Sequence, residues 1–119
     1  MVTRELVQVF IPEGGRSDKS IPVDLHDRWV IRLLGLCSEL FGGATSYGRG
    51  VGVWEGSKAR CWDRVTVVEA WYEPSAAVLP RRFTRLKGVL QSTGRALRQE
   101  AVAAMIGGEM LVIFMGESK

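Results

Sequence analysis

The stretch LFGGATSYGRGVGVWEGSKARCWDRVTVVEAWYE, residues Leu40 to Glu73, decides the fold of this chain. It reads as the end of a helix, a glycine stop, a short strand, a polar loop and a long strand. Gly42-Gly43 closes the helix, because glycine accepts the left-handed conformation at a C-terminal cap. Gly50 to Trp54 reads as the short strand and Lys58 to Cys61 as part of the hairpin loop. Arg64 to Tyr72 is the longest strand candidate, dense in β-branched and aromatic residues. Alternation puts Val65, Val67, Glu69 and Trp71 on one face and Thr66, Val68, Ala70 and Tyr72 on the other. Pro74 ends it.

Upstream, Glu5 to Ile11 predicts a first strand with Val7, Val9 and Ile11 on one face and Leu6, Gln8 and Phe10 on the other. Both faces are mostly apolar, so this strand belongs in the centre of a sheet. Pro12 ends it, and Glu13 to Ser20 reads as a polar loop. A helix then runs from Val23 or Asp24 to Phe41, with Trp29, Leu33, Leu36, Cys37 and Leu40 as its buried stripe.

Downstream, Pro80 suits the first turn of a second helix reaching to about Gln99. Phe83, Leu86, Leu90, Thr93 and Leu97 line one side of it. Gly88 and Gly94 each weaken it by about 1 kcal/mol relative to alanine, which points to close packing there. Ala101 to Ile106, Gly107-Gly108 and Glu109 to Met115 read as a hairpin around a two-residue turn. Period alone also allows 101–106 to prolong the helix.

The order β-α-β-β-α-β-β contains the six elements of a ferredoxin-like split βαβ fold, an α+β architecture. Right-handed crossovers place both helices on one face of an antiparallel sheet. The other face is then left to water, a ligand or a partner. With 119 residues, 46% of them hydrophobic and 24% charged, a single α+β domain over 1–119 with its own core is expected.

The segments Leu40–Thr45, Gly52–Trp54, Val65–Glu69 and Gln99–Val102 together resemble small uncharacterised bacterial proteins of the ferredoxin-like kind. As scattered short motifs the resemblance spreads over roughly two-thirds of the chain. It implies the fold and carries no activity with it.

Charge and motifs narrow the function classes. Sixteen basic against thirteen acidic residues give a net charge of +3, too small an excess to indicate nucleic acid. No apolar run is long enough to span a bilayer and no signal-peptide pattern opens the chain, so cytoplasmic residence without a membrane is expected. Cys37 and Cys61 make no disulfide framework, and one histidine with no CxxC or HExxH pattern argues against a zinc site. Neither a metal nor a cofactor is expected.

The glycine-rich segment Gly42 to Gly52 follows a helix and precedes a strand, the reverse of a phosphate loop. Arg49 to Trp54 partly matches the RNA-binding signature of a sheet, but Val51 and Val53 stand where stacking rings belong. His26, between Asp24 and Asp27, reads as a solvated helix residue; a hydrolytic role would need a nucleophile that sequence cannot locate. Arg81, Arg82 and Arg85 form a solvated cluster able to bind an anion.

Glu69 is the most informative residue. It interrupts an apolar strand on the face expected to be open, where Gln8 should lie on a neighbouring strand. A partly buried carboxylate there acts as an acid or base, or accepts hydrogen bonds from Gln8, a tyrosine or an arginine. The ligand or interface candidates are therefore Gln8, Phe10, Trp54, Glu69 and Trp71. The leading expectation is a small binding or scaffolding domain that homodimerises through its open sheet face, where Leu6, Phe10, Trp54 and Trp71 would gather. The alternatives are a small-molecule-binding protein or enzyme with its pocket around Glu69, and a nucleic-acid accessory protein using the arginine-rich second helix.

Overall fold

The computed structural model describes residues 3–13, 23–55, 58–75 and 79–115; the side chains at 23, 49, 54, 61 and 63 lie outside what is described. Most of the loop expected after Pro12 falls outside those residues as well. The elements are β1 (Glu5–Pro12), α1 (Val23–Phe41), β2 (Thr45–Glu55), β3 (Arg60–Tyr72), α2 (Leu79–Ala96), β4 (Ala101–Ile106) and β5 (Glu109–Phe114). One sheet contains all five strands in the order β2-β3-β1-β4-β5, and every pairing is antiparallel. Its first four strands have the ferredoxin-like arrangement, and β5 is added beyond β4.

Both helices cover one face. Val7, Val9 and Ile11 of β1, Val68 and Ala70 of β3, and Val102 and Ala104 of β4 are buried under them. From α1 come Trp29, Leu33, Leu36, Cys37 and Leu40, the stripe that helical spacing predicts. From α2 come Leu86, Leu90 and Thr93, with Phe83 packed at the margin. An aromatic knot joins the layers: Tyr72 of β3 meets Phe83 edge-on at 5.1 Å between ring centroids, and Phe41 of α1 lies 5.7 Å from Phe83. Edge-on contact sets the positive rim of one ring against the negative face of the other.

Three expectations need correction. β2 begins at Thr45 rather than Gly50, and β3 begins at Arg60, so Arg60 and Cys61 belong to a strand and not to the loop. Gly50 and Gly52 fall in the expected strand, and pairing along β3 extends it back through Gly48 to Thr45. A one-residue bulge between Tyr47 and Gly50 absorbs the misfit. The second helix ends at Ala96, short of Gln99. Gln99 N–H donates to Gly94 O at 2.8 Å and Arg98 N–H to Arg95 O at 3.2 Å, with Arg98 at φ 57°. That is a Schellman closure carried by an arginine in place of glycine.

The C-terminal hairpin resolves the strand-or-helix choice at 101–106 in favour of a strand. Gly107 and Gly108 take φ 59° and 86°, the primed turn that matches strand twist. Of the two helix glycines, Gly94 alone is tightly packed. A Cβ there would meet the Met115 side chain and lie 3.0 Å from Val102 Cγ2, whereas Gly88 faces open space.

Candidate functional site

The open face of the sheet carries the site. β1 and β3 pair so that Gln8 stands opposite Glu69, and β2 and β3 so that Thr45 does as well. Tyr47, one step further along the same face of β2, reaches back to the carboxylate. Its hydroxyl donates to Glu69 Oε2 at 2.6 Å, and Gln8 Nε2 donates to the same oxygen at 2.9 Å. Gln8 Nε2 also lies 3.1 Å from the Tyr47 hydroxyl, which closes a three-membered cluster. Among the described residues the hydrogen-bond partners of Glu69 are neutral, so its negative charge is oriented but not cancelled. The Tyr47 phenol is held above its ordinary value, chiefly because its proton is shared with Glu69.

Trp71 follows Glu69 on the same face, opposite Leu6, and is exposed. Phe10 is only half-buried and contributes less open surface than expected. Trp54 pairs with Cys61 beyond the bulge, and its side chain lies outside those described. The apolar surface on this face is concentrated instead at Tyr47, Trp71 and the strand β5, where Met110, Val112 and Phe114 are exposed. Of these, sequence alone points to Trp71 and passes over Tyr47 and the β5 residues. Tyr47 lies ahead of the strand expected from Gly50; with β2 extended to Thr45 opposite Glu69, counting forward two residues on the same face reaches it. The alternation Met110, Val112, Phe114 was visible, but nothing local says which face it takes.

The remaining candidates are not drawn to this face. Arg85 of α2 makes a forked contact with Glu39 of α1, Nη1 to Oε1 at 3.1 Å and Nη2 to Oε2 at 3.3 Å. That engages one arginine of the proposed anion site within the chain, while Arg81 stays exposed and Arg82 half-buried. At the RNA-like segment, Val53 pairs with Trp62, whose ring is exposed on the adjacent strand.

His26 is no solvated helix residue. Its Nδ1 lies 3.0 Å from Asp27 Oδ1 and its Nε2 lies 3.2 Å from the Thr66 hydroxyl. The contact ties the first turn of α1 to β3 on the helix side of the sheet, away from Glu69. Among the described residues no three His, Cys, Asp or Glu side chains converge as a metal would require. None of the described helices is long and apolar enough to cross a membrane.

No family model matches the chain, and no curated protein matches it in sequence. Two solved structures share the fold. Phage SAM lyase in complex with S-methyl-5′-thioadenosine superimposes with a TM-score of 0.63 at 11% identity, covering 96% of this chain and 92% of its own. The apo state of phage SAM lyase gives 0.63 at 10% identity, covering 96% and 91%. At such identities the likeness is one of fold.

Proposed function

We propose that this chain is a small-molecule-binding domain whose ligand is a nucleoside carrying a positive sulfonium centre, of the S-adenosylmethionine class. The Gln8–Tyr47–Glu69 cluster is its polar anchor, and the observation that carries the reading is Glu69 itself. Among the described residues its carboxylate is held by two neutral donors on a mostly apolar face, so that its charge is oriented and can pair with a cation. Tyr47 and Trp71 add exposed rings on the same face, suited to stacking on a purine and to cation–π contact. The shared fold with a SAM lyase supports the choice of ligand class. Isothermal titration with S-adenosylmethionine and S-methyl-5′-thioadenosine tests it. The cationic ligand should bind the more tightly, and Glu69→Gln should weaken it at least tenfold while leaving the neutral thioether nearly unchanged. Equal affinity of wild type and Glu69→Gln for the cation refutes the role of Glu69. Release of S-methyl-5′-thioadenosine on incubation would make the domain a lyase; binding without release leaves a binding module.

A second reading concerns association. The open face exposes Trp71, Met110, Val112 and Phe114, and apolar surface of that extent marks a contact. We propose that a second copy covers part of it.

A further inference from the structure

We infer that the partner is recruited along the edge of the sheet: β5 pairs antiparallel with β5 of a second copy, joining two five-stranded sheets side by side. This rests on the self-association reading and specifies its geometry.

The two edges of the sheet are treated differently. β2 carries a bulge and three glycines, devices that disturb a ladder and discourage further pairing. β5 is regular and paired residue for residue with β4, and beyond Glu109 its sequence Met110–Phe114 has no charge, proline or glycine. A regular, apolar edge strand is a template for another strand.

The hairpin also decides which backbone groups are free. In an antiparallel pair, hydrogen-bonded and non-hydrogen-bonded residue pairs alternate. Met115 N–H donates to Glu100 O at 2.9 Å, so that position is bonded toward β4. Counting back by twos, residues 113, 111 and 109 point their backbone groups at β4. Met110, Val112 and Phe114 therefore direct N–H and C=O outward along the edge. The same three residues place their side chains on the open face, 54%, 52% and 70% exposed, on the order of 300 Å² together.

This pattern is self-complementary. With the two-fold axis through Val112, Val112 faces its own copy and Met110 faces Phe114 of the other chain, in pairs that exchange both backbone hydrogen bonds. Methionine against an aromatic ring is a favourable cross-strand partner. Glu109 falls opposite Met115, so no like charges meet across the seam. The axis stands perpendicular to the sheet, so both Glu69 clusters open on the same side. The seven residues 109–115 on each edge make a contact at the small end of specific interfaces, hence a dimer that dissociates on dilution.

Sedimentation over a concentration series, with hydrogen exchange of the same samples, tests the proposal. Wild type should dimerise as concentration rises through the micromolar range. The amides of Met110, Val112 and Phe114 should exchange at least tenfold more slowly in the dimer than in the dilute monomer, while Leu111 and Ile113 stay protected in both. Val112→Pro removes one outward donor without touching the β4 ladder and should leave a monomer with unchanged circular dichroism; Val112→Lys, on the same edge, serves should the proline variant fail to fold. Trp71→Glu should leave the dimer intact. A wild type that is monomeric at several hundred micromolar overturns association altogether. A dimer that survives a folded Val112→Pro or Val112→Lys, or whose three edge amides exchange alike at all concentrations, overturns edge pairing alone. Ligand binding at Glu69 is read separately by titration of the monomeric variant.

Discussion

Alanine at the two glycines of α2 should move stability in opposite directions. Both substitutions remove the same backbone freedom, and each gains about 1 kcal/mol of helix propensity. Gly88 faces solvent with nothing near its missing Cβ, so Gly88→Ala should realise that gain. At Gly94 the new methyl meets the Met115 side chain and sits 3.0 Å from Val102 Cγ2. Methionine is flexible and can swing away, but Val102 is fully buried on β4 and cannot. Overpacking of this kind costs about 1–3 kcal/mol. The net effect at Gly94 is then a loss of about 0–2 kcal/mol, and the two variants should differ by about 1–3 kcal/mol. For a chain of this length each kcal/mol is worth about 3–6 °C in Tm. Thermal melts followed by circular dichroism, with urea midpoints as a second measure, give the comparison. If Gly94→Ala melts as high as Gly88→Ala, α2 does not pack tightly against Val102 and Met115 at this position.

Four further outcomes are expected. Gly107→Ala should destabilise the hairpin by about 1–2 kcal/mol, because φ is 59° and its Cβ would come 2.6 Å from both Glu5 Oε2 and the Tyr72 hydroxyl; Gly108→Asn, at φ 86° in open space, should melt within about 2–3 °C of wild type. Arg98→Gly should raise stability by up to about 1 kcal/mol in urea titrations by relieving a left-handed arginine at the α2 closure, and a lower midpoint would contradict it. Burial raises the Cys37 thiol from its ordinary 9.0 to about 11, so the unfolded chain loses this proton first. Stability tied to the thiol is intact below pH 9 and falls as pH rises toward 11, by at most about 1.4 kcal/mol per pH unit; urea midpoints at pH 8 and 10 should show a steeper loss in wild type than in Cys37→Ala. Glu69→Gln should lower the Tyr47 phenol toward its ordinary value, since the carboxylate that holds its proton is gone; phenolate absorbance against pH, with Tyr47→Phe as the subtraction, would show no movement if the contact does not form in solution.

Much of this protein was legible in one dimension. The period-2 runs of β1 and β3 and the period-3.6 stripe of α1 are local patterns, and burial followed them: Val7, Val9 and Ile11 inside, Leu33, Cys37 and Leu40 beneath α1. Gly42 at φ 94° and the Gly107-Gly108 turn were legible because only glycine takes such angles without strain. Glu69 announced itself as a lone charge in an apolar strand, and Gln8 as its neighbour. Tertiary pairing decided the rest. The glycines of β2 have little strand preference of their own, and the ladder along β3 holds them extended; that pairing brings Tyr47 to Glu69. His26 met Thr66 only because α1 crosses that end of β3. Which edge of the sheet stays open, and that Met110, Val112 and Phe114 lie along it, depends on the strand order β2-β3-β1-β4-β5. Strand order is set by contacts between residues far apart in the chain, and no local pattern of side chains encodes it.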